Sequence, residues 1–489
     1  MAAIRLSKSK LIAFRQCPKR LWLEVHRPEL KDESGAERRL QAGHSVGDVA
    51  RRLVPDGLLV AHEGDPGAAL AETRKAVASG ANRPLFEPAF RHGDLFVRAD
   101  VLFDPKGAAT LVEVKSSGSV KDHHFEDAAI QTHVLRGAGI DVARTHVAHV
   151  NTKWIYPGGG AYAGLLTEVD VSRAIAPVVK EVPTWLRDAQ GVASGREPEV
   201  EMGAHCHDPF ECPFADYCTA IAGPGPAFPV EILPGNGGKA LARRLREAGY
   251  EDLAKVPATK VPEGLFRRIH QATRSGRVHL DRGARRAIGE WAFPRYWLDF
   301  ETVAFAVPIW AGTRPYQQIP FQWSCHVERR SGEVEHFAFL DLSGRAPARQ
   351  CAEKLVATLG KRGAIVAYHA QFERRVIREL AERFRGFAPA LHAIHDRIVD
   401  LEPVVKAHYY HRDMMGSFSI KAVLPTIAPA LDYANLGEVQ DGDGAQGAYL
   451  EAIHPDTPRE RRAALKRDLE AYCAQDTRAM IVIAERLVA

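Results

Sequence analysis

Apolar positions recur along this chain with two different periods, two for strands and about 3.6 for helices, and their changes divide it into regions. In the first region, Leu95 to Phe103 and Thr110 to Lys115 read as strands. A helical pattern from His124 to Gly137 follows, and then a strand from Thr145 to Tyr156. In the last region, Arg295 to Thr302, Phe321 to Val327, Glu335 to Leu340 and Ala364 to Tyr368 predict strands. Gln350 to Leu359, Gln371 to Arg383 and Arg459 to Leu487 predict helices. Between the regions, Ile221-Ala-Gly-Pro-Gly-Pro-Ala-Phe-Pro229 alternates glycine with proline, so no regular element continues through it. A second boundary falls around Gly283 to Pro294. The expectation is an α/β chain in three parts, residues 1–222, 229–290 and 294–489.

Composition narrows the class. The 489 residues are 46% hydrophobic and 26% charged, and no apolar run approaches the ~20 residues that span a bilayer. A membrane protein is excluded on that pattern. Met1 to Lys10 carries basic residues but no apolar core followed by a cleavage site, so the expected location is cytoplasmic. Seven cysteines, an odd and low number, suit thiolate chemistry in a reducing compartment better than a disulfide framework. The net charge of +4 decides little, but Pro229 to Arg286 holds 13 Lys or Arg against 6 Asp or Glu. A basic middle segment predicts a polyanion partner.

In Val112-Glu-Val-Lys115 the two charged residues are i and i+2 on an apolar strand, so both project to one face. Asp100, on the preceding apolar run, brings a second carboxylate. Two hard oxygen ligands suit Mg²⁺ or Mn²⁺, and the lysine orients water or offsets charge developing on phosphorus; the bland alternative is a surface salt bridge on an edge strand. Asp100, twelve residues, then Glu113-Val-Lys115 resembles the core of the PD-(D/E)XK nucleases. That resemblance implies two further site residues. Gln131, in Asp127-Ala-Ala-Ile-Gln-Thr-His-Val-Leu135, stands at the place of the Q-x-x-x-Y motif of RecB-type nucleases, with Leu135 where those enzymes usually have Tyr. His44, in Gln41-Ala-Gly-His-Ser-Val-Gly-Asp48, matches their upstream metal-coordinating histidine. Glu87, beside Pro88, reads as structural.

Cys17 lies far in sequence from Cys206, Cys212 and Cys218, which are spaced by five residues each in a polar, proline-containing stretch. Four soft ligands satisfy a cubane cluster, and zinc, with His205 or His207 as substitutes, is the competing reading. One cysteine before the nuclease core and three after it resembles the iron-sulfur RecB-type exonucleases, including those of CRISPR adaptation. The resemblance implies a 4Fe-4S cluster stapling the N-terminal helix to the end of the domain. Cys325, Cys351 and Cys473 read as core residues.

In the last region, Asp299 and Glu301 are i and i+2 on one face of an apolar strand, which is costly unless a cation sits between them. Glu373 opens a predicted helix, and Tyr472 and Asp476 are i and i+4 on another. In this order they resemble the DEDD exonucleases of the RNase H-like fold, in the subgroup with a tyrosine four residues before the last aspartate. Here Glu373 replaces the usual Asp. The resemblance implies two metal ions held by Asp299, Glu301, Glu373 and Asp476, with Asp400 in reserve. Gly312 to Gln322 and Met415 to Leu424 carry cationic and aromatic groups suited either to phosphates and bases or to packing.

In the basic middle, Gly235-Asn-Gly-Gly-Lys239 predicts a glycine turn before a helix, resembling a helix-hairpin-helix grip on a nucleic-acid backbone through Lys239, Arg243 and Arg244. Arg267, Arg268, Arg274 and Arg277 extend the charge. The whole chain resembles a bacterial family that joins a RecB-like iron-sulfur nuclease domain to a DEDD-like domain. It implies a restriction-endonuclease-like domain with an iron-sulfur staple, a small helical linker domain and an RNase H-like domain. The expected activity is a metal-dependent nuclease acting on DNA more than RNA, away from membranes. A nucleic-acid-binding scaffold with inactive sites and a redox-responsive adaptor are the alternatives.

Overall fold

The computed structural model describes residues 4–32, 36–60, 64–79, 83–431, 433 and 436–489, apart from the side chains of residues 36–41. The α/β chain forms two compact units, Met1–Pro224 with Phe305–Gln317, and Gly225–Ala304 with Gln318–Ala489. The division at Pro224 lies in the glycine-proline run. Residues 229–290, expected as a separate part, belong to the second unit, and residues 305–317 belong to the first.

The first unit begins with β1 (Leu6–Ser7), α1 (Lys8–Gln16), α2 (Pro18–His26), α3 (Ala36–Leu53), β2 (Leu58–Leu59) and α4 (Pro66–Ala78). The strands β3 (Leu85–Phe86), β4 (Ala89–His92), β5 (Leu95–Arg98), β6 (Val101–Phe103) and β7 (Ala109–Lys115) follow. The unit then runs through α5 (Asp122–Gly137), β8 (Val142–Val150), β9 (Leu166–Asp170), α6 (Ser172–Ser194) and α7 (Ala215–Ala222). The main sheet has the order β2-β3-β6-β7-β8-β9, with β7 antiparallel to β6 and parallel to β8. A smaller sheet has the order β1-β5-β4. Leu11 of α1, Leu111 of β7, Val134 of α5 and Trp185 of α6 meet in its core.

Two predicted strands differ in the structure. Leu95 to Phe103 breaks at Ala99-Asp100, with β5 in the small sheet and β6 in the large one. The cause is local: Ala99 N–H donates to the Pro88 carbonyl at 3.0 Å, and Glu87 N–H to that of Asp100 at 3.1 Å. Those bonds draw the backbone away from a single ladder. The strand predicted to reach Tyr156 ends at Val150, because the Asn151 side chain accepts from Lys153 N–H at 3.1 Å and turns the chain. Tyr156 instead pairs with the inserted segment, its N–H donating to Thr313 at 2.9 Å and its carbonyl accepting from Gly312 at 2.7 Å. Gly312 and Thr313, expected either to bind phosphates or to pack, take the packing role.

The second unit opens with α8 (Gly235–Glu247), α9 (Leu265–Ser275), β10 (His279–Leu280) and α10 (Gly283–Gly289). The next elements are β11 (Arg295–Val303), β12 (Ile319–Glu328), β13 (Val334–Leu340), α11 (Ala348–Thr358), β14 (Ile365–Ala367) and α12 (Gln371–Arg383). It continues through α13 (Ala388–His395), β15 (Ile398–Asp400), α14 (Glu402–His408), β16 (Tyr409–Tyr410), α15 (Ile420–Ile427), α16 (Gly442–Ile453) and α17 (Arg459–Val488). The five-stranded sheet has the order β13-β12-β11-β14-β15, antiparallel from β13 to β11 and parallel from β11 to β15. β11 lies at its centre, and Trp297, Leu298 and Phe300 are buried there.

The basic segment departs from expectation in two ways. Its glycine turn is the first turn of α8 itself, where a Cβ on Gly238 would meet the Leu233 carbonyl oxygen at 2.2 Å. Arg267 donates to the Val261 carbonyl, and Arg268 to those of Lys406 and Ala407, so both guanidiniums hold the fold rather than extend a free charged face. Lys239, Arg243, Arg244, Arg274 and Arg277 are exposed.

Leu298→Ala removes a fully buried side chain from the central strand. It should lower the unfolding free energy of this unit by about 3 kcal/mol in urea titration.

Candidate functional site

In the first unit, β7 turns Leu111, Glu113 and Lys115 to one face, and α5 presents Asp127 and Gln131, one turn apart, to the same place. Glu113 is 1% exposed. Its Oε1 accepts from Lys115 Nζ at 2.7 Å and from Lys8 Nζ at 3.0 Å, while Oε2 accepts from Gln131 Nε2. Asp127 faces the same two ammoniums: Lys8 Nζ lies 2.8 Å from Oδ1 as an ion pair, and Lys115 Nζ donates to Oδ2. Val101 pairs with Val112 across the antiparallel β6–β7 ladder, which places Asp100 beside this group. Its Oδ2 accepts from Val114 N–H at 2.6 Å.

Burial, then the neighbouring Glu113 charge, pushes the Asp100 carboxyl up to about 8. Burial opposes the charge on Lys8, Lys115 and Asp127 alike. Their mutual attraction prevails, holding both lysines above the ordinary range and Asp127 below it. Lys8, His44, Asp100, Glu113 and Lys115 all line one cavity of about 880 Å³. His44 reaches it as an exposed residue of α3. Glu87, expected to be structural, also lines the cavity and has a φ of 54°. Leu135, at the position of the motif tyrosine, is a core residue.

Sequence reasoning missed Lys8 and Asp127. Asp127 had a signal, since it stands four residues before Gln131 on the same helical face. Lys8 had none, because only the tertiary packing of α1 brings it to Glu113.

Cys17, Cys206, Cys212 and Cys218 line one small cavity at the junction of α1 and α2 with the 204–218 segment. All four are free thiols. Burial raises the Cys212 and Cys218 thiols above their ordinary value. Among the described residues, no three of these sulfurs lie within 4.8 Å of one another. His205 joins the cavity lining, whereas His207 is exposed and pairs with Glu211 at 2.6 Å, removing it from the ligand set. Gln16 Nε2, next to Cys17, donates to the carbonyls of His205 at 2.8 Å and Phe210 at 2.6 Å.

In the second unit, Asp299, Glu301 and Cys473 each offer a ligand atom within 4.8 Å of the others. Cys473, expected to be core, is buried, but its sulfur lies 3.8 Å from Asp299 Oδ2. Burial, reinforced by neighbouring acids, raises Asp299 and Glu301 well above the carboxylate range. Asp476, Glu301 and Glu373 all contribute to the shift at Asp299. Burial pushes Asp476 up to about 6 and Glu373 up to about 8. Glu373 is 2% exposed, and among the described residues its Oε2 has no hydrogen-bond partner.

Tyr433 donates to Asp476 Oδ1 at 2.6 Å, and Lys421 Nζ lies 5.4 Å from the Tyr433 ring and 5.3 Å from that of Tyr472. Tyr433 was missed because it lies 43 positions from Asp476 and only the tertiary structure brings the two together. Lys421 lies within the cationic run that sequence reasoning singled out. Asp400 is not free to act as a reserve ligand: it accepts backbone N–H bonds from His369, Ala370 and Glu402, each at 3.0 Å.

A family model described as a domain of unknown function (DUF2779) matches residues 296–419, which include Asp299, Glu301 and Glu373. No curated protein matches the chain. A solved structure described as the crystal structure of SSO0001 aligns over 44% of this chain and 86% of its own, with 16% identity and a TM-score of 0.21. Among the described residues, no helix is long and apolar enough to cross a membrane.

The acids of the second unit give a pH signature. A carboxyl raised on folding stabilises the fold at low pH, and that contribution is lost as pH rises through the folded value. With Asp476 raised to about 6 and Glu373 to about 8, the loss begins near the ordinary carboxylate value of about 4 and is complete only above about 8 when no cation is bound. The gap in Tm between Mn²⁺-loaded and chelator-treated protein should widen from pH 6 to pH 8, and Asp299→Asn should narrow it at the upper end.

Proposed function

We propose that the chain is a metal-dependent nuclease, acting on DNA more than RNA, with one phosphodiester-hydrolysing site in each unit. The convergence of Asp100, Glu113 and Lys115 in a single cavity, with Gln131 donating to Glu113, carries the reading, since these are the residues its nuclease resemblance requires. One buried and two half-buried acids next to two half-buried ammoniums are a costly arrangement for a purely structural core. The strand order with β11 at its centre supports the RNase H-like reading of the second unit, and Asp299, Glu301, Glu373 and Asp476 support its DEDD-type site.

Asp100 and Glu113 would hold Mg²⁺ or Mn²⁺ in the first unit, and Asp299, Glu301, Glu373 and Asp476 in the second. The unpartnered Glu373 oxygen and the raised acids fit a divalent ion. A bound ion would supply Lewis acidity and lower the pKa of water. The chain's own groups do the rest. Lys115 sets positive charge beside Glu113, and Gln131 fixes the second oxygen of that carboxylate. In the second unit Tyr433 orients Asp476, while burial keeps the Tyr433 and Tyr472 phenols protonated as donors.

We assign a 4Fe-4S cluster to the four cysteines, which line one small cavity as free thiols and supply the four soft ligands it needs. Protein purified without oxygen should be brown, absorb broadly near ~400 nm and carry about four irons per chain. Stoichiometric zinc without iron would overturn the assignment.

The reading is tested with end-labelled DNA in Mg²⁺ or Mn²⁺. Glu113→Ala and Asp299→Ala should each remove a distinct share of the products, Asp476→Asn should match Asp299→Ala, and the double variant should be inactive. If only Glu113→Ala has an effect, the second unit is a binding platform.

A further inference from the structure

One short helix joins the two chemical features of the first unit. Helix α1 starts at Lys8, whose ammonium reaches Glu113 and Asp127, and the residue that closes it is Cys17. Its nine residues at ~1.5 Å each set the two ends about 13 Å apart. The helix is clamped along its length. Leu11 and Ala13 are fully buried, and Cys17 N–H donates to the Ala13 carbonyl at 2.9 Å. Arg15 grips Glu126 of α5 through two nitrogens, at 2.7 and 3.2 Å, and lies 4.1 Å from the centre of the Trp185 ring. The two hydrogen bonds from Gln16 fix the cysteine end to the segment that carries Cys206 and Cys212.

We propose that Lys8 is a positioning residue of the Glu113 site and that α1 makes its placement depend on the cysteine cluster at Cys17. Lys8 and Lys115 bridge the same two carboxylates, so Asp127 serves as the common counter-ion that holds both ammoniums against Glu113. Removing Lys8 leaves Lys115 alone with two carboxylates, free to shift toward Asp127 and so to loosen its hold on Glu113 Oε1. It also removes a positive charge from the oxygen where a divalent cation would bind. Metal affinity and catalytic geometry therefore move in opposite directions, which simple loss of packing would not produce. The same helix transmits disorder at Cys17 to Lys8, because no loop intervenes to absorb it.

This inference rests on the divalent-ion reading of the first site. The test uses the full chain, purified without oxygen, in an Asp299→Asn background so that Mn²⁺ electron paramagnetic resonance reports the first unit. Lys8→Met should bind Mn²⁺ about 10-fold more tightly and cleave end-labelled DNA about 100-fold more slowly in a single turnover, with α1 amides still protected from hydrogen exchange. Lys8→Arg should keep the parent Mn²⁺ affinity. Cys212→Ser should lose protection across Leu11 to Cys17, and adding Lys8→Met to it should no longer change Mn²⁺ binding. Parent-like Mn²⁺ affinity in Lys8→Met overturns the role of Lys8, and a full Lys8→Met effect in the Cys212→Ser chain overturns the coupling. If the parent binds Mn²⁺ through Glu113 but cleaves nothing, the nuclease reading falls while the Mn²⁺ comparison still decides Lys8.

Discussion

A carboxylate taken out of water must be paired, protonated or bound to a cation, and the structure around both candidate sites follows from that constraint. The first unit relies on pairing. Lys8 and Lys115 face Glu113 and Asp127, so the four groups sustain one another's charge, and Asp100 alone is left to hold a proton. The second unit has fewer cations. Lys421 favours ionisation of both Glu301 and Asp476, Arg375 that of Glu373, and the neutral donors Tyr433, Tyr472 and Cys473 add to them. Its acids therefore sit at raised values, and a divalent cation has more to neutralise there.

The secondary structure serves this constraint through simple periodicities. In β7 and β11 the period of two puts paired charges on one face while the other face stays apolar. In α5 the spacing of four stacks Asp127 under Gln131, and in α17 it stacks Tyr472 under Asp476. The break between β5 and β6 also serves to place a carboxylate. A continuous strand would carry Asp100 in the ladder of one sheet, whereas the break leaves its carboxylate free to accept from Val114 N–H.

The cysteine cavity and the carboxylate cavity are parts of one unit, and α1 runs between them, from Lys8 in the carboxylate cavity to its closing residue Cys17 in the other. The arginine and glutamine contacts at the far end of α1 fix its axis, and the axis fixes where an ammonium stands among three acids.

Local pattern fixed much of this chain in advance. The strand centred on Leu298, the helix Gln371–Arg383, the long last helix and the division in the glycine-proline run all follow from hydrophobic period and from glycine and proline stereochemistry. So does the pairing of Glu113 with Lys115 and of Asp299 with Glu301 on single strand faces, because side-chain direction along a strand is a property of the backbone. The sequence could not say which distant groups answer those charges. Lys8 lies 105 positions from Glu113, and Tyr433 lies 43 from Asp476. Nor could it say that Asp400 is consumed by three backbone N–H groups, that Arg268 holds two carbonyls, or that residues 305–317 belong with the first unit. Those outcomes depend on which polar groups are left unpaired once the apolar faces have packed, and only the tertiary structure decides that.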